Sequence, residues 1–176
     1  MSKKQYNLVQ AAAKRFTFLP KLPPYDHFKI PTKVGHQVTF IPKLSWDQWN
    51  TVFEAYKPTK NGLWKSDEYE DINVLSQTED WKVVLLPSSD KPPVVNITYT
   101  EAKNRTKDVG FSLISVDAYF ALQWMRLLQG KDPVDRPGWT FADIPEYTGS
   151  WAPALYWGPD RGQVGVRSGE VGLSSD

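Results

Sequence analysis

Any chemistry this chain performs must come from a narrow set of side chains. It has no cysteine and only two histidines, which removes disulfides, thiolate nucleophiles and zinc sites built on Cys. His27 and His36 stand in a proline-flanked N-terminal region with no third histidine nearby, so a His-based metal site is not expected. Carboxylates are more plentiful. Asp67, Glu68, Glu70, Asp71, Glu79 and Asp80 crowd residues 64–80, and Asp132 and Asp135 bracket Pro133-Val134. Paired carboxylates can serve as a glycosidase-like acid and base or hold a hard cation such as calcium. No EF-hand ligand pattern with its central glycine is present, and no nucleophile–base pair is defined. The acidic stretch therefore reads first as a solvated charged loop. The expectation is a protein that is not an enzyme and carries no cofactor and no metal.

A second set of residues suits binding. The last thirty residues, Tyr147 to Asp176, hold two of the eight tryptophans, Trp151 and Trp157, and six of the eleven glycines. Each glycine inside a helix costs about 1 kcal/mol relative to alanine, so a long helix is excluded here. Val164 and Val166 alternate with small or polar neighbours, the period of short, half-buried strands joined by tight turns. Each indole buries a large apolar area and carries one N–H to satisfy. Both can tie the glycine-rich ribbon to a core.

The rest of the chain must supply that core. At 176 residues, 40% apolar and 14% aromatic, it is long enough for one globular domain, 1–176. Net charge is +1, but residues 1–60 carry ten Lys/Arg against three Asp/Glu while the remainder is acidic. That asymmetry suits either a basic arm for nucleic acid or complementarity between the two halves, and the second is preferred because the basic residues are scattered among prolines and aromatics. No apolar run of twenty residues exists to span a membrane. The N-terminal stretch has no apolar segment of the signal-peptide kind, which predicts a cytoplasmic protein.

Residues 5–16 have the apolar spacing of a short helix within an N-terminal arm, 1–27, before Pro20, Pro23 and Pro24 force extended backbone. The alternation of Val34, His36, Val38 and Phe40 predicts a strand over 28–42. Ser45 and Gln48 form a capping box, and a helix to about Lys57 should bury Trp49, Val52, Phe53 and Tyr56. Trp81–Pro87 and Val94–Tyr99 read as strands. Ser115 caps the most apolar helix of the chain, with Asp117 at its positive end and Gly130 as its C′ residue. Its breadth of apolar positions marks it as a central core helix.

From Ser115 onward the order is distinctive: a buried helix, Gly130-Lys131-Asp132-Pro133-Val134-Asp135, Trp139-Thr140, then Gly149-Ser150-Trp151-Ala152-Pro153-Ala154-Leu155-Tyr156-Trp157. Over about the last third of the chain, this pattern resembles variable proteins of diversity-generating retroelements. The resemblance implies an α+β, C-type-lectin-like fold of the formylglycine-generating-enzyme branch. Such a fold has two main helices, a twisted antiparallel sheet and much irregular loop. It also implies that segment 147–176 displays side chains for a protein or other macromolecular ligand. In this family, template adenines diversify codons toward residues such as Tyr, Asp, Gly, Val, Arg, Ser and Leu. Tyr156, Gly158, Asp160, Arg161, Gly162, Val166, Arg167, Ser168 and Leu173 are compatible with that origin. Trp151 and Trp157, with Gln163 and Glu170, would be scaffold. The alternative is a nucleic-acid-binding or virion-associated module using the basic N-terminal region and its aromatics.

Overall fold

The computed structural model describes residues 2–28, 30, 35–69, 79–87, 98–108, 110, 112–134, 140–143 and 152–169. They form a mixed α+β arrangement of four α-helices and two small sheets.

Helix α1 (Lys3–Arg15) begins at a reciprocal capping box. Ser2 Oγ accepts from the Gln5 amide at 3.2 Å, and Gln5 Oε1 accepts from the Ser2 amide at 3.0 Å. Its last turn carries Lys14 and Arg15, which suit the negative end of the helix dipole. The proline segment that follows is laced to the body by side chains. Tyr6 Oη donates to the Pro23 carbonyl at 2.8 Å, and Trp81 Nε1 donates to the Lys21 carbonyl at 3.1 Å. Phe28 closes a short 3-10 turn rather than opening a strand, and strand β1 is confined to His36–Pro42. Val38, Phe40 and Ile41 are all buried, so the inner part of β1 is covered on both faces instead of alternating. It pairs antiparallel with β3 (Trp81–Pro87) as a separate two-stranded sheet.

Helix α2 (Trp46–Glu54) has the capping box expected from Ser45 and Gln48, with hydrogen bonds of 3.3 and 2.8 Å. It stops three residues before Lys57. A 3-10 turn (Lys57–Thr59) replaces the last turn, and the buried Thr59 hydroxyl donates to the Phe53 carbonyl at 2.8 Å. Helix α4 (Val116–Leu128) is the centre of the core, packing on β1, α1 and α2. Phe120 and Trp124 meet Trp49 edge-to-face at 5.9 and 6.0 Å, and Phe53 meets Phe120 at 5.8 Å. These are the offset geometries that aromatic quadrupoles favour. Ser115 occupies the N-cap, but its hydroxyl does not cap the helix. It donates to the Asp117 carboxylate, which itself accepts from the Ala118 amide at 2.8 Å. At the other end Gly130 (φ +69°) closes a Schellman motif. Its amide reaches the Leu127 carbonyl at 3.0 Å, and the Lys131 amide reaches Arg126 at 3.0 Å.

Two further expectations are corrected. The strand placed over Val94–Tyr99 does not reach Tyr99: residues 94–97 lie outside the described part, and Tyr99 opens helix α3 (Tyr99–Asp108). The reason is a third capping box, Thr98 with Glu101, whose hydrogen bonds of 3.1 and 3.2 Å nucleate a helix just past the apolar run. The second correction concerns layout. In place of two main helices and one antiparallel sheet, the described residues form four helices, and the larger sheet is mixed. Its order is β2 (Leu63–Lys65), β6 (Gln163–Gly169), β5 (Ala152–Gly158), β4 (Thr140–Phe141), with β2 parallel to β6 and the remaining pairs antiparallel.

Candidate display hairpin

Strands β5 and β6 form a hairpin around the four-residue turn 159–162, in register from Ala152 opposite Gly169 to Gly158 opposite Gln163. Its two faces have different fates. Leu155, Trp157, Val164 and Val166 share the inner face and are at most 5% exposed. Burying each of the aliphatic three is worth about 1.5–3 kcal/mol relative to exposure. The opposite face carries Tyr156, Gly165 and Arg167, alternating with the inner set as the pleat requires.

Tyr156 organises that second face. Its ring lies directly across Gly165, where a Cβ would stand 2.5 Å from Tyr156 Cζ. Only glycine leaves that space. The Arg167 guanidinium sits over the same ring, 5.4 Å from its centroid, and Trp64 of β2 meets it edge-on at 6.2 Å. Trp64 is placed there by register, since it pairs with Gly165 across the parallel β2–β6 contact. Burial pushes the Tyr156 phenol above its ordinary pKa, while the positive charges of Arg167 and Arg161 pull the other way. Farther along, Phe141 of β4 lies opposite Ala154, and Tyr99 of α3 meets its ring at 5.6 Å.

The hairpin tip is fixed by a neighbouring loop. The Asn61 side-chain amide donates to the Arg161 carbonyl at 2.6 Å, and the Asn61 backbone amide donates to Gly162 at 3.1 Å. Gln163 returns a bond to the Asn61 carbonyl at 3.2 Å. Gly162 adopts φ +61°, and a Cβ there would come within 3.4 Å of the Pro58 carbonyl oxygen. The Asn61-Gly62 pair is itself held from α2: Asn50 Oδ1 accepts from the Leu63 amide at 2.7 Å, and Asn50 Nδ2 donates to Glu54 at 2.8 Å. Asp160 and Arg161 are exposed on this held backbone.

The proposed display residues therefore divide. Asp160 and Arg161 are exposed, and Tyr156, Gly158 and Arg167 are partly exposed. Val166 is corrected: it is fully buried, because its position in the strand puts it beside Leu155 on the core side. Gly162 is also buried, and its backbone conformation ties it to the turn. Trp157 lies on the inner face. Ser168 pairs with Pro153 in the hairpin, and Trp151 and Leu173 fall outside the described residues. Trp64 and Asn61 were not anticipated as part of this region. The signal available for them was the Asn-Gly turn dipeptide followed by Leu-Trp-Lys.

Among the described residues the other candidates do not assemble. Asp67, Glu79, Asp80 and Asp132 are each exposed, while 70–78 and Asp135 lie outside the described part. Among the described residues no group of three or more His, Asp or Glu could hold a metal ion. In the basic N-terminal region, Arg15 is drawn into the fold, over the rings of Phe16 and Tyr56 and donating to the Ala55 carbonyl at 3.3 Å. No described helix is long and apolar enough to cross a membrane. No protein-family model, curated protein or solved structure matches this chain.

Proposed function

We propose that this protein is a non-enzymatic ligand-binding protein that displays hairpin side chains on a C-type-lectin-like scaffold, in the manner of variable proteins of diversity-generating retroelements. One observation carries the reading: the two faces of β5–β6 are decoupled. The inner face is consumed by the core, while Asp160 and Arg161 are exposed on a turn held by Asn61 and Tyr156 and Arg167 are partly exposed on the opposite face. A held backbone lowers the entropy lost when a ligand binds. Tyrosine and arginine are also the side chains that contribute most per position at protein interfaces.

The test is a library randomised at 156, 158, 160, 161 and 167, sorted for folding and then for binding. Most members should keep the parental melting temperature while ligand preference changes from clone to clone. Unfolding of most members would defeat the reading. A genomic neighbourhood with a reverse transcriptase and a near-identical copy of the 151–176 coding region would place the gene in such an element.

A further inference from the structure

Asn61-Gly62 is the one Asn-Gly pair in the chain, and it stands at the joint between the α2–β2 loop and the hairpin tip. Asparagine followed by glycine is the pairing most prone to spontaneous deamidation. Glycine has no side chain to keep its amide nitrogen from the asparagine Cγ, and its backbone bends freely toward it. The fold does not let Gly62 be exchanged for a slower neighbour: its φ is +69°, and a Cβ there would collide with the Asn50 side chain. Asn61 itself is exposed, so water and base reach it.

The bonds that make the clamp also oppose the reaction. The nucleophile, the Gly62 amide, donates to the Thr59 carbonyl at 2.7 Å. The leaving group, Asn61 Nδ2, donates to the Arg161 carbonyl at 2.6 Å. The Asn61 carbonyl accepts from Gln163 Nε2 at 3.2 Å, and the Gly62 carbonyl accepts from the Val164 amide at 3.1 Å. Ring closure would require the first two of these bonds to break together.

We infer that Asn61 is a deamidation site gated by the hairpin tip: it converts when the tip opens, and its conversion keeps the tip from closing again. Solvent base removes the Gly62 amide proton, and the nitrogen attacks Asn61 Cγ. The N–Cγ bond forms, the Cγ–Nδ2 bond breaks, and Nδ2 leaves as ammonia with a proton taken from water. A second water then opens the succinimide ring. Cleavage at Cγ leaves aspartate, and cleavage at the main-chain carbonyl leaves isoaspartate. Either product has lost the donor to Arg161 and turns a carboxylate, which only accepts, toward a carbonyl oxygen. Isoaspartate also lengthens the main chain by a methylene, out of step with the bonds to Gly162 and Gln163. No ligand enters this chemistry, so it holds whether or not the hairpin binds one.

Incubating the whole folded chain in mildly alkaline buffer, beside a sample in urea, provides the test. Trypsin then frees residues 61–65, Asn-Gly-Leu-Trp-Lys. Mass spectrometry reads the replacement of amide nitrogen by oxygen, and retention time separates isoaspartate from aspartate. Conversion should be about tenfold slower in the folded chain than in urea, because the Thr59 and Arg161 bonds must open first. Gln163→Ala should speed the folded-chain reaction about threefold and leave the urea rate unchanged. Asn104, exposed on α3 but followed by Arg105, should stay intact in the folded sample. The deamidated fraction, resolved by its added negative charge, should show faster amide exchange at Arg161 and Gly162 with α4 unaltered. Asn61→Asp should do the same, which separates the consequence from the chemistry. Equal rates in buffer and urea, or no conversion of the folded chain while the urea sample converts, would overturn the inference. So would equal conversion at Asn104, no response to Gln163→Ala, or unaltered exchange at the tip of the deamidated chain.

Discussion

Helix α4 and the β5–β6 hairpin bury comparable aromatic and aliphatic side chains, yet they use their surfaces in opposite ways. Along α4, Val116, Tyr119, Phe120, Trp124 and Leu127 are buried, and so are Ala118, Ala121, Gln123 and Met125 around the rest of the cylinder. Even Gln123 is spent internally, bonding the Val134 amide at 2.9 Å and its carbonyl at 3.4 Å. The hairpin is committed less completely: Ala154 and Gly165 are buried along with the inner set, but Tyr156 and Arg167 between them stay partly exposed. An element buried around nearly its whole surface leaves little free to vary, whereas a strand pair whose second face is only partly covered separates folding from recognition at those positions by the period of two.

The largest test of that contrast lies in the helix. Trp124→Ala should cost about 3–5 kcal/mol, read from the urea midpoint, since Trp124 is fully buried and its Nε1 donates to Tyr56 Oη at 3.3 Å. A loss below about 1 kcal/mol would mean that α4 is not the centre of the core. Next comes Gly165→Ala, a small change on the outer hairpin face. The added methyl meets the Tyr156 ring, so a cost of about 1–2 kcal/mol is expected. Tyr156→Ala in the same chain should recover most of it, and additive losses would show that the ring does not press on Gly165. Asn61→Ala removes the 2.6 Å bond to the Arg161 carbonyl and should cost about 1 kcal/mol. Faster amide exchange at Arg161 and Gly162 should accompany it; unaltered exchange would show that the turn holds itself. The smallest effects belong to Asp160→Ala and Arg161→Ala, each within about 0.5 kcal/mol. A substantially larger loss at either position would end the separation of the two faces.

Much of the helical framework was legible from local patterns. Ser45 and Gln48 marked α2 because a capping box is completed by residues three apart, whatever surrounds them. Gly130 marked the end of α4 because a left-handed C′ residue is a local need. Thr98 and Glu101 carry the same signature, but the preceding Val94–Tyr99 run masked it by suggesting a strand through the box. The alternation of Val164 and Val166 revealed strand character in β6, although both face the core. A single strand's period shows that neighbours diverge, not which set points inward.

Local sequence thus determined where most chain elements start and stop, since caps, prolines and glycines act within a turn of their own position. It also supplied enough aromatic side chains for one core. Tertiary structure decided the rest: that β2 joins β6 in parallel, that Trp64 meets Tyr156, and that Asn61 grips a turn one hundred residues away. Those pairings depend on how separate elements share one core, and no local pattern encodes the partner of an exposed strand edge. For that reason Val166 and Arg167, adjacent in sequence, differ so sharply in what they can touch.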